Sequence, residues 1–288
     1  MIFVHALCRP AAAIVLRLST CLILGVFGNS AFAQGRLKAH YSISMTGVPI
    51  GQIDWFVAIG EQRYTASANG KASGVLSILV SGEGSVDARG NVADGRLTPK
   101  LFTSKIIDDD GDSELRMTFD DGVAKEAMVQ GMPPGPGRVP VSDADRHGVA
   151  DPLSAVLMPD SGDALASANC DRVLSVFDGR RRYDLALSFK RVDKITIERS
   201  YSGFVLVCGV VLKPIAGYRA DSMLVKYVAD RRDMELWFAP IAGTSIVAPI
   251  RVTMPTLIGT LEIEADQFKI LAPPLAPSPA TGPSNSPQ

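Results

Sequence analysis

Apolar and polar residues alternate over short segments of this chain, and turn residues separate the segments. In the stretch that begins at His40, alternate positions on both sides of a glycine-containing turn are apolar: Tyr41, Ile43 and Met45 before it, and Trp55, Val57 and Ile59 after it. Segments of this kind recur to about position 271, and helix signals are scarce. A period of two with short turns is typical of strands. The pattern predicts a mostly β protein built on a single long curved antiparallel sheet, a β-spiral or open barrel-like form, with one or two short helices.

Two segments are the candidates for those helices. In DPLSAVLMP, Asp151 is a suitable N-cap and Pro152 suits the first helical position. The segment around 75–80, within SGVLSILVSG, is the second candidate, although its apolar run fits a strand equally well.

A loop rich in proline and glycine, residues 131–148, divides the β pattern into two halves. It could connect two domains or two halves of one sheet. The halves share no clear repeat, which favours one β domain over residues 34–271.

Both ends of the chain differ from this pattern. Residues 1–33 carry Arg9 and Arg17, an apolar stretch, and Ala-Phe-Ala at 31–33, which predicts a secretory signal cleaved after Ala33 and a periplasmic location. The apolar run is too short for a membrane-spanning helix; a lipoprotein attached through Cys21 is the alternative. Residues 272–288 are rich in proline, serine and alanine without charge, which predicts a disordered tail.

Charge and cysteine content narrow the class of protein. Formal charge is nearly balanced, 29 basic against 30 acidic side chains, so no basic excess suggests nucleic acid. No apolar run after the signal is long enough to span a membrane. Signal cleavage leaves Cys170 and Cys208, an even number in an exported chain, which indicates one disulfide; two buried free thiols are the alternative.

The stretch VFDGRRRYDLALSF, 176–189, is the most patterned part of the chain. Asp-Gly at 178–179 between two β-patterned runs predicts a hairpin with a type I′ turn. Arg180 and Arg182 are candidate contacts for an anion or a lipid headgroup. Alternatively they lie on a solvated strand face, where Asp184 neutralises Arg182.

Catalytic and metal-binding patterns give little support to an enzyme. The stretch IDDDGDSE fails as a calcium loop, because both end positions of the ligand pattern are apolar, and an acidic hairpin tip fits it better. His40 and His147 have no metal-type companions at the expected spacing. No nucleophile elbow, phosphate loop or dinucleotide pattern occurs. We therefore expect no catalytic residue, metal or cofactor.

Several segments together resemble a known family. They are YSISMTGVPIG, ADPLSAVLMP, CDRVLSVFDGRRRYDLALSF, CGVVLKPIAGY and ELWFAPI followed by VAPIRVTMPTLIGTLEIEA. Their combination resembles the bacterial domain of unknown function 3108 (DUF3108) in its alphaproteobacterial form, over about 36–268. The resemblance implies an exported protein with an unassigned role, and Cys170 and Cys208 match the paired cysteines of the family. The sequence pattern is also similar in kind to that of alphaproteobacterial periplasmic β-spiral proteins involved in envelope integrity, which is an analogy at the level of the fold.

Three functions follow as hypotheses. The first is a non-catalytic envelope-maintenance factor that binds an envelope protein or a cell-wall component. The second is a carrier of a lipid or an acylated peptide in an apolar concave face, since the strands carry many aliphatic residues; an ordinary closed core is the alternative reading of those residues. The third is a hydrolase whose site forms only in the folded chain, with His40 or His147 beside a serine and an aspartate.

Overall fold

The computed structural model describes residues 35–73, 82–108, 111–131 and 135–271. The predicted signal peptide, the candidate helix at 75–80 and the predicted tail lie outside these ranges. Within them the chain forms strands, two short α-helices and two 3₁₀ turns. In chain order the strands and α-helices are β1 (Gly35–Met45), β2 (Val48–Ile59), β3 (Arg63–Ala72), β4 (Gly82–Ala93), β5 (Arg96–Asp108), β6 (Gly111–Asp120), β7 (Val123–Gln130), α1 (Pro152–Ala155), β8 (Met158–Pro159), β9 (Val173–Phe177), β10 (Arg182–Ile197), β11 (Tyr201–Ala216), α2 (Met223–Asp230), β12 (Met234–Ile241), β13 (Ile246–Thr256) and β14 (Gly259–Leu271).

All these strands belong to one antiparallel sheet that is nearly closed into a barrel. The order is β7-β6-β5-β4-β3-β2-β1-β14-β13-β12-β11-β10-β9, with β8 paired to β13. Each neighbour in this order is also a neighbour in sequence, except at β1 and β14, whose pairing joins the two halves. The prediction of one long curved antiparallel sheet is confirmed.

The end of the proline- and glycine-rich loop closes the gap between the edge strands β7 and β9. His147 bridges to Val123 on β7, and Ala150 bridges to Val176 on β9. The N–H of Phe177 donates to the Ala150 carbonyl at 2.9 Å. The loop that divides the sequence pattern thus forms the seam of the barrel.

Three Asp-Gly pairs within the described residues lie between strands, and they do not form the same turn. Asp94-Gly95 and Asp121-Gly122 have positive φ at both positions (50° and 72°, 47° and 70°), as a two-residue type I′ turn requires. At Asp178-Gly179 only the glycine has positive φ, and Phe177 pairs with Arg182, so the β9–β10 loop has four residues, 178–181. The predicted hairpin is confirmed there, but the predicted type I′ turn is wrong.

Side chains fill the middle of the barrel. The largest buried residues of this inner core, each under 2% exposed, come from strands in both halves and from the segment after α1: Leu37, Tyr64, Met117, Leu157, Phe177, Ile241, Ile246, Ile250 and Phe268. Tyr201, at the start of β11, packs edge-on against Phe268 with ring centroids 5.5 Å apart. The long β10–β11 hairpin therefore reaches across to β14 and helps to close this core.

Strands β9–β13 bury their outer face as well. Leu206, Cys208 and Phe238 point away from the inner core into a second cluster, which Val228 of α2 and Met158 help to cover. Two-sided burial explains why β11 reads as an almost continuous apolar run rather than a strict alternation.

Of the two α-helices, the sequence analysis predicted α1 and missed α2. The α1 prediction is confirmed, because Asp151 accepts from the N–H groups of Leu153 and Ser154, and Pro152 is the first helical residue. The sequence analysis missed α2. Its signals are a Ser222 side chain that caps Val225 N–H and a short apolar run in which Val228 is the buried residue.

Candidate functional site

An apolar cleft lies between the inner faces of β4, β5 and β6 on one side and α1 with the β9–β10 turn on the other. Its volume is about 280 Å³. Six of its eleven lining residues are apolar: Val86, Phe102, Ile106, Leu115, Pro152 and Leu153. The others are Ser104, Ser113, Asp178, Arg180 and Arg181. We call this set the mouth cleft.

The strand register explains why these side chains meet. Phe102, Ser104 and Ile106 occupy alternate positions of β5 and point to the same face. Ser104 is opposite Val86 on β4 and Leu115 on β6. Phe102 is 3% exposed and Ile106 is 44% exposed, so the cleft opens towards the end of β5.

The β9–β10 turn holds the charged side of the cleft in place. Oδ1 of Asp178 accepts from the backbone N–H groups of Arg180, at 2.9 Å, and Arg181, at 2.7 Å. Gly217 has φ +80°, and a Cβ there would lie 2.0 Å from the Arg180 carbonyl oxygen. Only glycine permits this close approach, which packs the turn against the end of β11.

The three consecutive arginines have different surroundings. Arg182 is 9% exposed and donates to Asp184 Oδ1 at 2.6 Å and to the Tyr183 carbonyl at 2.7 Å. Arg181 lies 4.0 Å from the Asp178 carboxylate and 5.9 Å from the Tyr218 ring centre. Arg180 lines the cleft and is half-buried. Within the described part of the chain no carboxylate lies within the 4.0 Å ion-pair distance of its guanidinium.

Of the two arginines that the sequence singled out, Arg180 lines the cleft and Arg182 does not. Asp184 neutralises Arg182, as the solvated-face interpretation expected, although the pair is largely buried. The sequence analysis missed the residues from β4, β5, β6 and α1. The alternation in β5 indicates which of its side chains share a face, but the sequence does not show which residues lie across the cleft from them.

A buried polar cluster supports the α1 side of the cleft. Ser154 Oγ lies 2.6 Å from Tyr64 Oη, and the Asp151 carboxylate caps the helix below it. Burial raises the pKa of Asp151 despite the hydrogen bonds from Ser154 and Leu153. Burial, followed by the nearby Asp151 carboxylate, raises the pKa of Tyr64. Because this cluster fixes α1, it positions Pro152 and Leu153 in the cleft.

The histidines lie elsewhere. His40 Nδ1 is 2.9 Å from Asp54 Oδ1 on the neighbouring strand, and His147 lies in the barrel seam. Among the described residues neither histidine is hydrogen-bonded to a serine side chain, and no group of three potential metal ligands occurs. The acidic stretch at 107–114 spans the β5–β6 connection, as the hairpin interpretation expected.

Other cavities are larger but more polar in character. A groove of about 1010 Å³ beside α1 includes Asp94, Arg96, Asp160 and Arg172 in its lining. Another of about 490 Å³ is lined by side chains such as Asp54, Lys71, Glu83 and Lys105. The mouth cleft differs because apolar side chains form most of it and because, among the described residues, no carboxylate forms an ion pair with Arg180.

The predicted disulfide is present. Cys170 and Cys208 are bonded with their Cα atoms 5.5 Å apart, and both are 0% exposed. The bond ties the 3₁₀ turn before β9 to β11 in the second core.

In the described part of the chain, neither α-helix has the length and apolar content needed to cross a bilayer.

A search of curated proteins found no match. Among solved structures, the chain is similar to a beta-barrel-like protein of domain of unknown function DUF1849 from Brucella abortus, with 10% identity, coverage of 83% of this chain and 98% of that chain, and a TM-score of 0.47. The family described as "Protein of unknown function (DUF3108)" matches residues 40–266. Since that match covers most of the sequence, the chain belongs to the DUF3108 family.

Proposed function

We propose that this protein is a non-catalytic binding protein of the periplasm that contributes to maintenance of the cell envelope. The mouth cleft carries this proposal, because it is a mainly apolar recess that opens to solvent beside the filled inner core. An apolar recess with a few polar groups at its edge is the usual form of a ligand site.

The size of the cleft limits what it can enclose. Sites that bury a whole small ligand measure about 300–1,000 Å³, and the mouth cleft measures about 280 Å³. Tyr64, Phe177 and Phe268 occupy the interior that a deeper ligand would need. The cleft therefore suits one apolar group or chain of a larger envelope partner better than complete enclosure of a lipid.

A carrier of a lipid or an acylated peptide is the second candidate. The observation in its favour is the combination of apolar lining with Arg180 at the edge. The filled interior restricts such a ligand to a single chain, with the rest of the molecule outside the barrel.

The test compares two asparagine substitutions at exposed isoleucines. Ile106→Asn places an amide in the cleft, whereas Ile258→Asn places the same amide in the β13–β14 turn, where the side chain is 80% exposed. Each variant is expressed in a strain that lacks the gene, and survival in detergent is measured. We expect the wild type and Ile258→Asn to restore survival and Ile106→Asn to fail.

Equal protein levels and equal melting temperatures of the two variants are required controls. Equal restoration by all three forms would refute a role for the cleft. Unchanged detergent sensitivity after deletion would refute the envelope-maintenance proposal itself.

A further inference from the structure

We propose that the mouth cleft selects anionic amphiphiles with a single apolar chain, and that the guanidinium of Arg180 pairs with their charged head. This inference rests on the proposed function and names the chemical class of the ligand. The head can be a carboxylate or a phosphate, because the guanidinium fork binds both with parallel hydrogen bonds.

The first step concerns the charge at the edge of the cleft. Three charged residues line it: Asp178, Arg180 and Arg181. The Asp178 carboxylate is engaged by two backbone N–H groups and lies near the Arg181 guanidinium. The formal sum of the three charges is positive, and Arg180 carries the charge that is not matched by a carboxylate in the described residues.

The second step concerns the environment of Arg180. Arg180 is half-buried, and it lines the same cleft as the apolar Leu115 and Leu153. Removing a guanidinium from water without a partner is unfavourable, and an anionic head in the cleft would remove that penalty. The neighbouring Arg182 shows the alternative, since a buried arginine in this turn region is paired with Asp184.

The third step concerns the apolar part of the ligand. Phe102 and Ile106 are four residues apart on β5, which gives the cleft a depth of about 13 Å at the usual rise of a strand. Val86, Leu115 and Leu153 flank that line. A recess of this depth and of about 280 Å³ suits one extended chain.

The experiment measures binding of three twelve-carbon probes to the mature chain by calorimetry, at concentrations at which the probes are monomeric. The probes are dodecanoate, dodecyl phosphate and dodecanol. The proteins are the wild type, Arg180→Gln, Arg180→Lys and the control Arg199→Gln. Arg199 lies in the β10–β11 turn, away from the cleft, and its side chain is 91% exposed.

We expect the wild type to bind at least one anionic probe about tenfold or more tighter than dodecanol, the factor expected for one hydrogen-bonded charge pair. Arg180→Gln should abolish that preference and leave dodecanol affinity within about threefold, since the hydrophobic contacts remain. Arg180→Lys should keep part of the preference, and Arg199→Gln should keep all of it. A preference for dodecanoate alone or for dodecyl phosphate alone identifies the head as carboxylate or phosphate.

Equal affinity of the wild type for all three probes would overturn the anion selection and leave the apolar binding site intact. An anion preference that survives Arg180→Gln would also overturn it, because another group would then hold the head. No binding of any probe would overturn this inference, whereas the proposed function is decided separately by the detergent-survival test of Ile106→Asn.

Discussion

Removal of the disulfide gives the most quantitative test of the fold. The bond joins residues 38 positions apart, and both cysteines are 0% exposed in the second core. For a closed loop of that length the chain-entropy relation gives about 4 kcal/mol of stabilisation, through restriction of the unfolded chain. The double variant Cys170→Ala/Cys208→Ala should lose about this much, since alanine leaves no buried hydroxyl and only a small void.

The assay is unfolding in urea and by heat, followed by circular dichroism. At about 2–4 °C per kcal/mol for a domain of this size, the melting temperature should fall by roughly 8–16 °C. The urea slope should also rise, because the unlinked unfolded chain exposes more surface. Wild-type protein that is unfolded, reduced and refolded under reducing conditions is the matched control and should resemble the variant.

Equal melting temperatures for oxidised wild type and the double variant would refute this reasoning. A loss confined to the variant, with reduced wild type as stable as oxidised, would assign the effect to packing at the two sites and not to the cross-link.

Three further predictions concern single residues. Because burial raises the pKa of Asp151, its contribution to stability is lost as the pH rises from the unfolded value near 4 through the folded pKa. Asp151→Asn keeps the cap and should remove that loss, so the unfolding free energy of the variant should rise relative to that of the wild type between pH 4 and 7. A difference that stays constant with pH would contradict this. Although burial alone would raise the pKa of Glu235, hydrogen bonds from Arg191 and Lys190 lower it to about 2. Stability should therefore be lost as the pH falls from about 5 to 2. Glu235→Gln should lose less unfolding free energy than the wild type over that pH range. Gly217→Ala should lower the melting temperature more than Gly47→Ala, since both have φ +80° but only Gly217 would meet a backbone atom, the Arg180 carbonyl oxygen; equal losses would show that the turn yields.

Local patterns determined much of this protein from sequence alone. Alternation at a period of two predicts the strands because the side chains of a strand point alternately to its two faces. Asp151 and Pro152 predict the start of α1, since capping involves only the next three residues. The even count of cysteines after the predicted signal segment indicated the pair Cys170 and Cys208, which the structure confirms.

The tertiary structure decided what depends on residues far apart in sequence. The β1–β14 pairing and the seam at 147–150 convert two strand meanders into one nearly closed barrel, and no local pattern encodes them. The β9–β10 turn has four residues instead of two, although Asp-Gly favours the shorter turn at two other hairpins. There Asp178 binds two backbone N–H groups and the turn packs against Gly217.

For the mouth cleft too, the sequence indicated some residues and the tertiary structure decided their roles. Sequence marked Arg180 and Arg182 as equivalent, because alternate positions in a strand share a face. In the structure Arg180 lies in the turn and lines the cleft, while Arg182 starts β10 and pairs with Asp184. Which cation remains available for a ligand depends on the contacts that the closed barrel brings together, so only the tertiary structure separates the two.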